Sequence, residues 1–334
     1  MQVPKHTVVQ KKNDPYVYLW VMGEWYCYNV TEPPIGSGAM GDVFLGYRCK
    51  DGAEVAVKKV KDVYANNPMI RARARQEASL AYRHPNLVEM IGYCEAAPAV
   101  GPIFLISNVV HGEDVDKYVK RLPDGADKES KITRNIIIPV LDALVYIHSR
   151  GVIHRDIKPS NIMVEQDSNV RLMDLGISRM NGGNKFSQYG FIGTPQYSAP
   201  EQIKRDEGDT SGQINAATDI YELGITFYEL LTGENPMDAE SDTETLTRQL
   251  SLRLPSNPLI SRRMMRVIWK ATEKKQSDRY QTAAEFKNAV VEALRPAPSL
   301  WERMSAWMQD HLLTIVTVIV GLAVLFFIII LITA

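Results

Sequence analysis

The hydrophobic pattern of this chain changes its period after residue 110, and this change limits the folds open to it. Val43, Leu45 and Tyr47 recur at every second position, which is the spacing of a strand. A Lys50-Asp51-Gly52 turn follows, and residues 54–60 alternate again. Apolar stretches at helical spacing dominate the rest of the chain. Because strands and helices are segregated, we predict an α+β fold with a strand-rich first lobe and a helical second lobe.

Several further elements are predicted from turn and capping residues. Thr133 is a candidate cap for a helix that runs to Ser149, and Pro139 within it predicts a kink or a later start. Met22-Gly23 predicts a hairpin turn between two short strands. The predicted strands are 16–21, 24–30 and 103–110, and the other predicted helices are 69–83, 219–231 and one that begins at Thr282 with capping-box spacing.

Charge and cysteine content exclude several classes of protein. The formal net charge is −1 at pH 7, so electrostatics give no support for a nucleic-acid partner. The three cysteines, Cys27, Cys49 and Cys94, are widely spaced and contain no CxxC pair. This argues against a disulfide framework and against a zinc site. We expect three reduced thiols in a cytosolic domain.

An uncharged apolar run occupies residues 312–333. About 20 apolar residues cross the hydrocarbon layer of a bilayer as a helix, so we predict a transmembrane helix here. The alternative is a buried core helix, which would normally carry some polar positions. Arg295–Leu300 breaks the helical pattern and predicts a linker. Trp301, Met304, Trp307, Met308 and His311 then recur at helical spacing, which suits either an interfacial helix or a continuation of the membrane helix.

A glycine-rich motif, Gly36-Ser-Gly38-Ala-Met-Gly41, is the first of three that carry chemistry. Dinucleotide-binding folds share the spacing, but their glycines open a helix. Here the motif leads into the alternating strand that contains Val43, which favours a glycine-rich hairpin whose backbone lies close to phosphates. The absence of Gly-Lys-Ser/Thr excludes a Walker A loop.

The second motif, Val55-Ala-Val-Lys58, places a lysine in an apolar strand. A buried lysine needs a paired charge, and phosphate oxygens together with Glu77 of the next helix would provide it. The alternative is a lysine whose ammonium group reaches solvent.

The third motif is His154-Arg-Asp156-Ile-Lys158-Pro-Ser-Asn161, followed by Asp174-Leu-Gly176. Phosphoryl transfer needs a carboxylate to accept the proton of the attacking hydroxyl, ligands for a magnesium ion, and cations near the phosphates. Asp156 fits the first role and Lys158 the last, while Asn161 and Asp174 offer the oxygen ligands that magnesium takes. The motif predicts a phosphotransferase.

Together these motifs resemble the eukaryotic-type protein kinases, and the resemblance runs from Ile35 to about residue 294. It includes Gly193-Thr-Pro-Gln-Tyr-Ser-Ala-Pro-Glu201, Asp219 at the start of the central helix, and Arg279, which by resemblance pairs with Glu201. It implies a bilobal fold that uses ATP with Mg²⁺ or, alternatively, Mn²⁺, and protein substrates. By resemblance, the ATP site comprises Ile35, Gly36, Ser37, Gly38, Ala39, Met40, Gly41, Asp42, Val43, Ala56, Lys58, Glu77, Asn108 and Val110.

The resemblance also indicates a branch of the family. Lys158 together with Thr194 resembles the pattern of the serine/threonine branch, and the motif Ala199-Pro-Glu-Gln202 resembles that of bacterial members. We expect Thr194 to contact Asp156 and Lys158. The gatekeeper position beside the ATP site falls on Ser107, or on Ile106 if the alignment slips by one residue.

Regulation is expected in the segment between Asp174 and Glu201. Ser187 is the preferred candidate phosphorylation site and Ser178 a second one, with Arg155 placed to bind the phosphate. Leu175 replaces the phenylalanine of many kinases, a change that is common in the family.

The predicted organisation is an N-terminal extension (1–29), a kinase domain (30–294, with lobes 30–110 and 111–294), a linker and juxtamembrane segment (295–311), and a transmembrane helix (312–333). We expect an autophosphorylating signalling kinase whose catalytic domain faces the cytosol and whose last helix is a tail anchor in the lipid bilayer. The alternatives are a catalytically weak pseudokinase that acts as a membrane-tethered scaffold, and a receptor with an external sensor. Because only Ala334 follows the apolar run, we do not expect a sensor beyond the membrane.

Overall fold

The computed structural model of the chain describes residues 7–38, 41–79, 82–96, 101–125, 127–174, 194–206, 213–296, 300–312, 314, 316–322 and 326. The chain divides into two units, Met1–Ala293 and Leu294–Ala334. The division falls beside the predicted linker, which begins at Arg295.

Antiparallel strands form the first lobe of the larger unit. They are β1 (Val8–Gln10), β2 (Tyr16–Val21), β3 (Glu24–Asn29), β4 (Gly36–Ser37), β5 (Gly41–Arg48), β6 (Glu54–Val60), β7 (Met90–Glu95) and β8 (Ile103–Asn108). Their order in the sheet is β1-β2-β3-β5-β6-β8-β7, and β4 pairs with the start of β5. The strands predicted around Val43 and over residues 54–60 are confirmed, whereas the strand predicted over 103–110 ends at Asn108.

The predicted N-terminal hairpin is confirmed. Strands β2 and β3 pair from Tyr16 opposite Asn29 to Val21 opposite Glu24. Met22 and Gly23 have φ angles of 48° and 88°, as a two-residue type I′ turn requires. Strand β3 also pairs with β5. The predicted boundary between the N-terminal extension and the kinase domain, at residues 29 and 30, therefore falls between strands of one continuous sheet.

The hairpin covers the outer face of the sheet. Apolar side chains of β2 and β3 pack against those of β6, β7 and β8 in one buried cluster, here called the outer cluster. Its members are Val17, Leu19, Val21, Tyr26, Tyr28, Val55, Val57, Cys94, Phe104 and Ile106.

The register of β6 and β8 separates the two candidate gatekeeper residues. Ser107 lies opposite Ala56, and Leu105 lies opposite Lys58, so these side chains share one face of the sheet. Ile106 lies opposite Val57 in the outer cluster, on the other face. The register therefore favours Ser107 as the residue beside the ATP site.

Helices form most of the second lobe, which also contains a small sheet of β9 (Gly112–Asp114), β10 (Ile162–Glu165) and β11 (Val170–Leu172) in the order β11-β10-β9. In chain order, the α-helices of the larger unit are α1 (Asp62–Ala65), α2 (Pro68–Ser79), α3 (Val115–Arg121), α4 (Lys128–Ile132), α5 (Ile138–His148), α6 (Pro200–Asp206), α7 (Ala216–Thr232), α8 (Asp242–Ser251), α9 (Arg262–Ala271) and α10 (Ala283–Leu294).

Two predicted helix boundaries are wrong. Thr133 has helical φ and ψ angles of −63° and −48°, so it lies within a helix that begins at Lys128 and does not cap one. A π-helical segment, Thr133–Ile137, joins α4 to α5 just before Pro139. This widened turn accommodates a residue that cannot donate a backbone hydrogen bond. Helix α2 ends at Ser79, and Arg83 lies outside it.

Helix α7 is the central element of the second lobe. Asn215 caps its first turn by accepting the Ala217 N–H, and Gly233 ends it with a φ of 80°. Most of its side chains are buried, and these include Asp219 and Glu222. Two buried carboxylates on one apolar helix require partners, and they find them in the loop described below.

The smaller unit contains helix α11 (Leu300–Asp310), along which Trp301 and Trp307 are 70% and 56% exposed. We predicted a transmembrane helix over residues 312–333. No helix within the described part of the chain is both long and apolar enough to span a bilayer. Residues 313, 315, 323–325 and 327–334 of the predicted segment lie outside the described residues.

Candidate active site

The loop that carries Asp156 is held by two carboxylates of helix α7. Asp219 accepts the backbone N–H groups of His154 at 2.8 Å and of Arg155 at 2.7 Å. Glu222 accepts the N–H of Ile157 at 2.8 Å. Arg155 has a φ of 68°, an uncommon conformation that these bonds stabilise. The backbone is therefore fixed on both sides of Asp156.

Three predicted catalytic side chains surround the Asp156 carboxylate. Lys158 Nζ lies 2.9 Å from Asp156 Oδ2, and Asn161 Nδ2 donates to the same oxygen at 3.0 Å. Thr194 Oγ1 accepts from Lys158 Nζ at 2.6 Å and lies 3.4 Å from Asp156 Oδ1. The predicted contacts of Thr194 are thus confirmed. Donors on both oxygens fix the orientation of the Asp156 carboxylate.

Lys58 reaches across from strand β6 to Asp174. Its Nζ atom lies 2.8 Å from Asp174 Oδ1. The positive charge of Lys58 holds the pKa of Asp174 below its usual value. Asp174 is therefore ionised at neutral pH, as a metal ligand must be. Glu77 lies on helix α2, but its side chain, and with it the predicted Lys58–Glu77 pair, lies outside the described residues.

The glycine-rich segment forms the predicted hairpin between β4 and β5. The Ile35 N–H donates to Val43 O at 2.8 Å, and the Gly38 N–H donates to Gly41 O at 2.9 Å, which closes the turn. A Cβ atom on Gly41 would lie 2.6 Å from Lys59 O, so only glycine fits there. Ser37 Oγ donates to Asp42 Oδ1 at 2.5 Å. Ala39 and Met40 lie outside the described residues.

The connection between the lobes completes the cleft. Ala56 lies on the same strand face as Lys58, as the register with β8 shows. Asn108 ends β8, and its N–H donates to Glu89 O at 3.0 Å. Val110 follows it and is half-buried. These residues lie where β8 leads into the second lobe, in the part of the predicted ATP site that connects the two lobes.

The family model for the protein kinase domain matches residues 29–291. The chain belongs to the protein kinase family. The match begins at Asn29, which is the last residue of β3. Strands β1 and β2 therefore precede the matched region.

Curated relatives include bacterial kinases. A probable serine/threonine-protein kinase of Corynebacterium efficiens is 34% identical over 283 residues, which cover 78% of this chain and 42% of that protein. Serine/threonine-protein kinase PknB of Mycobacterium tuberculosis is 33% identical over 268 residues, 77% of this chain and 41% of that protein. This kinase chain therefore spans less than half the length of these relatives.

Solved structures support the fold. The PknI kinase domain of Mycobacterium tuberculosis superposes with a TM-score of 0.59 at 24% identity, over 80% of this chain and 96% of that domain. The kinase thus has the bilobal fold, with an antiparallel sheet in the first lobe and helices in the second.

The kinase cleft fits a magnesium ion carried by ATP. Within the described residues the Asn161 side chain bonds only through Nδ2, so its Oδ1 atom is a candidate ligand, together with the ionised Asp174. Oxygen donors of this kind are what magnesium takes, and one or two carboxylates plus substrate phosphates suffice. Among the described residues no group of three or more His, Cys, Asp and Glu side chains could hold a metal by itself.

The predicted Glu201–Arg279 pair is present and buried. Arg279 Nη1 and Nη2 donate to Glu201 Oε1 and Oε2 at 2.8 and 2.9 Å. Leu175, Ser178 and Ser187 lie outside the described residues, so the predicted phosphorylation sites stay predictions.

Glu222, which holds the loop beside Asp156, was not among the residues predicted from the sequence. The available signal was an acidic residue one turn after Asp219 in a strongly apolar helix, because such a residue must find a donor. Gln249 of helix α8, which donates to the carbonyl oxygens of Pro195 and Gln196, was not predicted either. No motif or periodicity in the sequence marks its position.

Proposed function

We propose that this chain is a serine/threonine protein kinase that transfers the γ-phosphate of ATP to serine or threonine hydroxyls of proteins. The observation that carries the proposal is the Asp156 carboxylate, which is oriented by Lys158, Asn161 and Thr194 in one cluster. Donors on both oxygens leave a carboxylate that is pre-organised to accept one further hydrogen bond from a substrate hydroxyl.

Each residue then has a role in the transfer. Asp156 orients the attacking hydroxyl and takes its proton. Lys158 lies beside that carboxylate, where its positive charge stabilises the negative charge that develops in the transition state. Asn161 and Asp174 would hold the magnesium, which neutralises phosphate charge when it is bound with ATP. Lys58, now paired with Asp174, would turn its ammonium to the phosphates as Asp174 takes the metal. The glycine-rich hairpin would cover the phosphates with backbone N–H groups.

The preference for serine and threonine rests on Lys158 and Thr194. Their 2.6 Å bond occupies space immediately beside Asp156. The family resemblance assigns the same pair to the serine/threonine branch.

The test is Asp156→Asn, which keeps the shape of the side chain but removes the proton acceptor. With a peptide substrate and labelled ATP, kcat should fall by about a thousandfold or more. Asp167→Asn is a matched control on the exposed turn between β10 and β11, and it should keep the wild-type rate. A wild-type chain with no transfer at all would favour the pseudokinase alternative, and an unchanged kcat in Asp156→Asn would reject the assignment of the base.

We further propose that phosphorylation between Asp174 and Glu201 activates the enzyme, with Ser187 the first candidate. The support is Arg155, whose backbone is fixed by Asp219 next to the catalytic aspartate. Phosphosite mapping of active enzyme by mass spectrometry should find phosphate there, and fully active enzyme without it would contradict the idea.

Membrane attachment through the smaller unit, with the catalytic unit in the cytosol, is also our proposal. Its support is the uncharged run at residues 312–333 and the exposed Trp301 and Trp307 of helix α11. The need for ATP and for reduced thiols favours the cytosol. The full chain should float with phosphatidylcholine vesicles, whereas a chain ending at Pro296 should stay in the dense fraction. Equal behaviour of the two chains would reject the proposal.

A further inference from the structure

A buried chain of hydrogen bonds runs from helix α7 to the backbone that follows Thr194. Tyr221 Oη donates to Gln249 Oε1 at 2.6 Å. Gln249 Nε2 donates to the carbonyl oxygens of Pro195 at 3.2 Å and of Gln196 at 2.5 Å. Tyr221 and Gln249 are both 0% exposed.

The direction of each bond is fixed by its partners. The Pro195 and Gln196 carbonyls can only accept, so Nε2 of Gln249 must face them. The Oε1 atom then faces Tyr221, whose hydroxyl donates. Lys274 Nζ completes the chain by donating to Tyr221 Oη at 2.7 Å. Every hydrogen bond in this chain is therefore satisfied in one arrangement, which fixes the side chain of Gln249.

The backbone held by Gln249 is joined directly to the catalytic cluster. Thr194 immediately precedes Pro195, and its hydroxyl bonds to Lys158 Nζ at 2.6 Å and lies 3.4 Å from Asp156 Oδ1. The same backbone forms a single three-ten turn, Pro195–Tyr197, which is too short to hold its own position. Contacts from outside the turn must therefore fix it.

We propose that Gln249, itself held by Tyr221, is a positioning residue that keeps the Thr194 hydroxyl at the Asp156–Lys158 pair. It acts through the backbone of Pro195 and Gln196 and touches neither substrate nor ATP. The proposal rests on the assignment of Asp156 as the base. No other described donor replaces Gln249 completely, since Asn235 Nδ2 reaches only Gln196 O, at 3.2 Å, and the Ser198 N–H reaches Pro195 O at 3.3 Å.

Two variants distinguish this positioning role from a general contribution to the stability of the fold. Gln249→Met keeps the length of the side chain and removes both sets of bonds, and Tyr221→Phe removes only the hydroxyl. Thr272→Val is the matched control: it also removes a buried hydroxyl bond, from Thr272 to Ile268 O at 2.9 Å, but has no bond to residues 194–197. All are compared well below their melting temperatures, where each is fully folded.

In Gln249→Met we expect kcat to fall by about tenfold, since a displacement of about 1 Å can cost about a hundredfold and part of the support is retained. The KM for ATP should stay within about twofold, because Gln249 does not contact the ATP cleft. Tyr221→Phe should lose less. The double variant should equal Gln249→Met, because Tyr221 acts through Gln249. Thr272→Val should keep the wild-type kcat.

Amide hydrogen exchange without ATP supplies a readout that does not depend on activity. The N–H groups of Tyr197 and Ser198 should exchange faster in Gln249→Met and not in Thr272→Val. Unchanged exchange, a wild-type kcat in Gln249→Met, or multiplicative losses in the double variant would each overturn the proposal. If Gln249→Met does not fold, Tyr221→Phe carries the same test. A wild-type chain without activity would reject the proposed function while the exchange measurement still decides the role of Gln249.

Discussion

Replacing Arg279 by Met should destabilise the larger unit more than any exposed substitution. Arg279 is 2% exposed, and its guanidinium donates to both oxygens of Glu201. It also donates to the carbonyl oxygens of Ala217, Glu273 and Lys274. The change therefore leaves a buried carboxylate without its counter-charge and removes one donor from each of three carbonyl groups.

The expected loss is about 3–5 kcal/mol of unfolding free energy, which is the usual cost of removing one partner of a buried ion pair. The lost carbonyl bonds favour the upper end of this range. Thr218 and Gln276 keep their bonds to Glu201 at 2.7 and 3.0 Å and set the lower end. For a unit of this size, the loss corresponds to a melting temperature lower by about 5–8 °C.

Urea unfolding of the full chain, followed by circular dichroism, measures the change. Lys275→Met is the control: this neighbouring residue is 77% exposed and lies 3.8 Å from Asp278, so its loss should stay within about 0.5 kcal/mol. Adding Glu201→Gln to Arg279→Met should recover part of the stability, because the unpaired charge is removed. A loss below about 1 kcal/mol in Arg279→Met would refute the reasoning.

Two further predictions follow from the charges of the structure. Lys58→Met should leave the fold intact and abolish phosphorylation of a peptide by labelled ATP, because the phosphates lose their cation; transfer at the wild-type rate would contradict this. Burial lowers the pKa of Lys274 to about 7 from 10.5, so the unfolded chain binds more protons between these values and stability due to this group rises with pH. The stability of the wild type relative to Lys274→Met should therefore increase by about 1–2 kcal/mol from pH 7 to pH 9 in urea titrations, and a constant difference would show that Lys274 does not titrate there.

Local signals predicted much of the sheet and the grouping of the site. Met22-Gly23 predicted its hairpin because only a few residues adopt such a turn. The resemblance brought Asp156, Lys158, Asn161 and Thr194 together, and the structure places the last three within 3.4 Å of the Asp156 carboxylate.

What the sequence did not indicate depends on tertiary placement. Gln249 bonds to residues more than fifty positions away, and no periodicity encodes such a contact. The helix start at Lys128 was missed because Pro139 favours a break, whereas the chain widens one turn into a π-helical segment and continues. The Lys58–Asp174 contact was not predicted from the sequence, because the two residues are 116 positions apart, and the predicted Lys58–Glu77 pair stays a prediction.

The N-terminal hairpin has a consequence for how such domains are delimited. The family match begins at residue 29, but Val57, Phe104 and Ile106 of the outer cluster pack with Val17, Leu19 and Val21, which precede the match. The region matched by the family model and the region that packs as one folded unit therefore do not coincide. A chain cut at the family boundary would expose the apolar side chains of β6, β7 and β8 that pack against the hairpin, and an exposed apolar patch favours self-association. In this molecule, residues that precede the family match are part of the hydrophobic core.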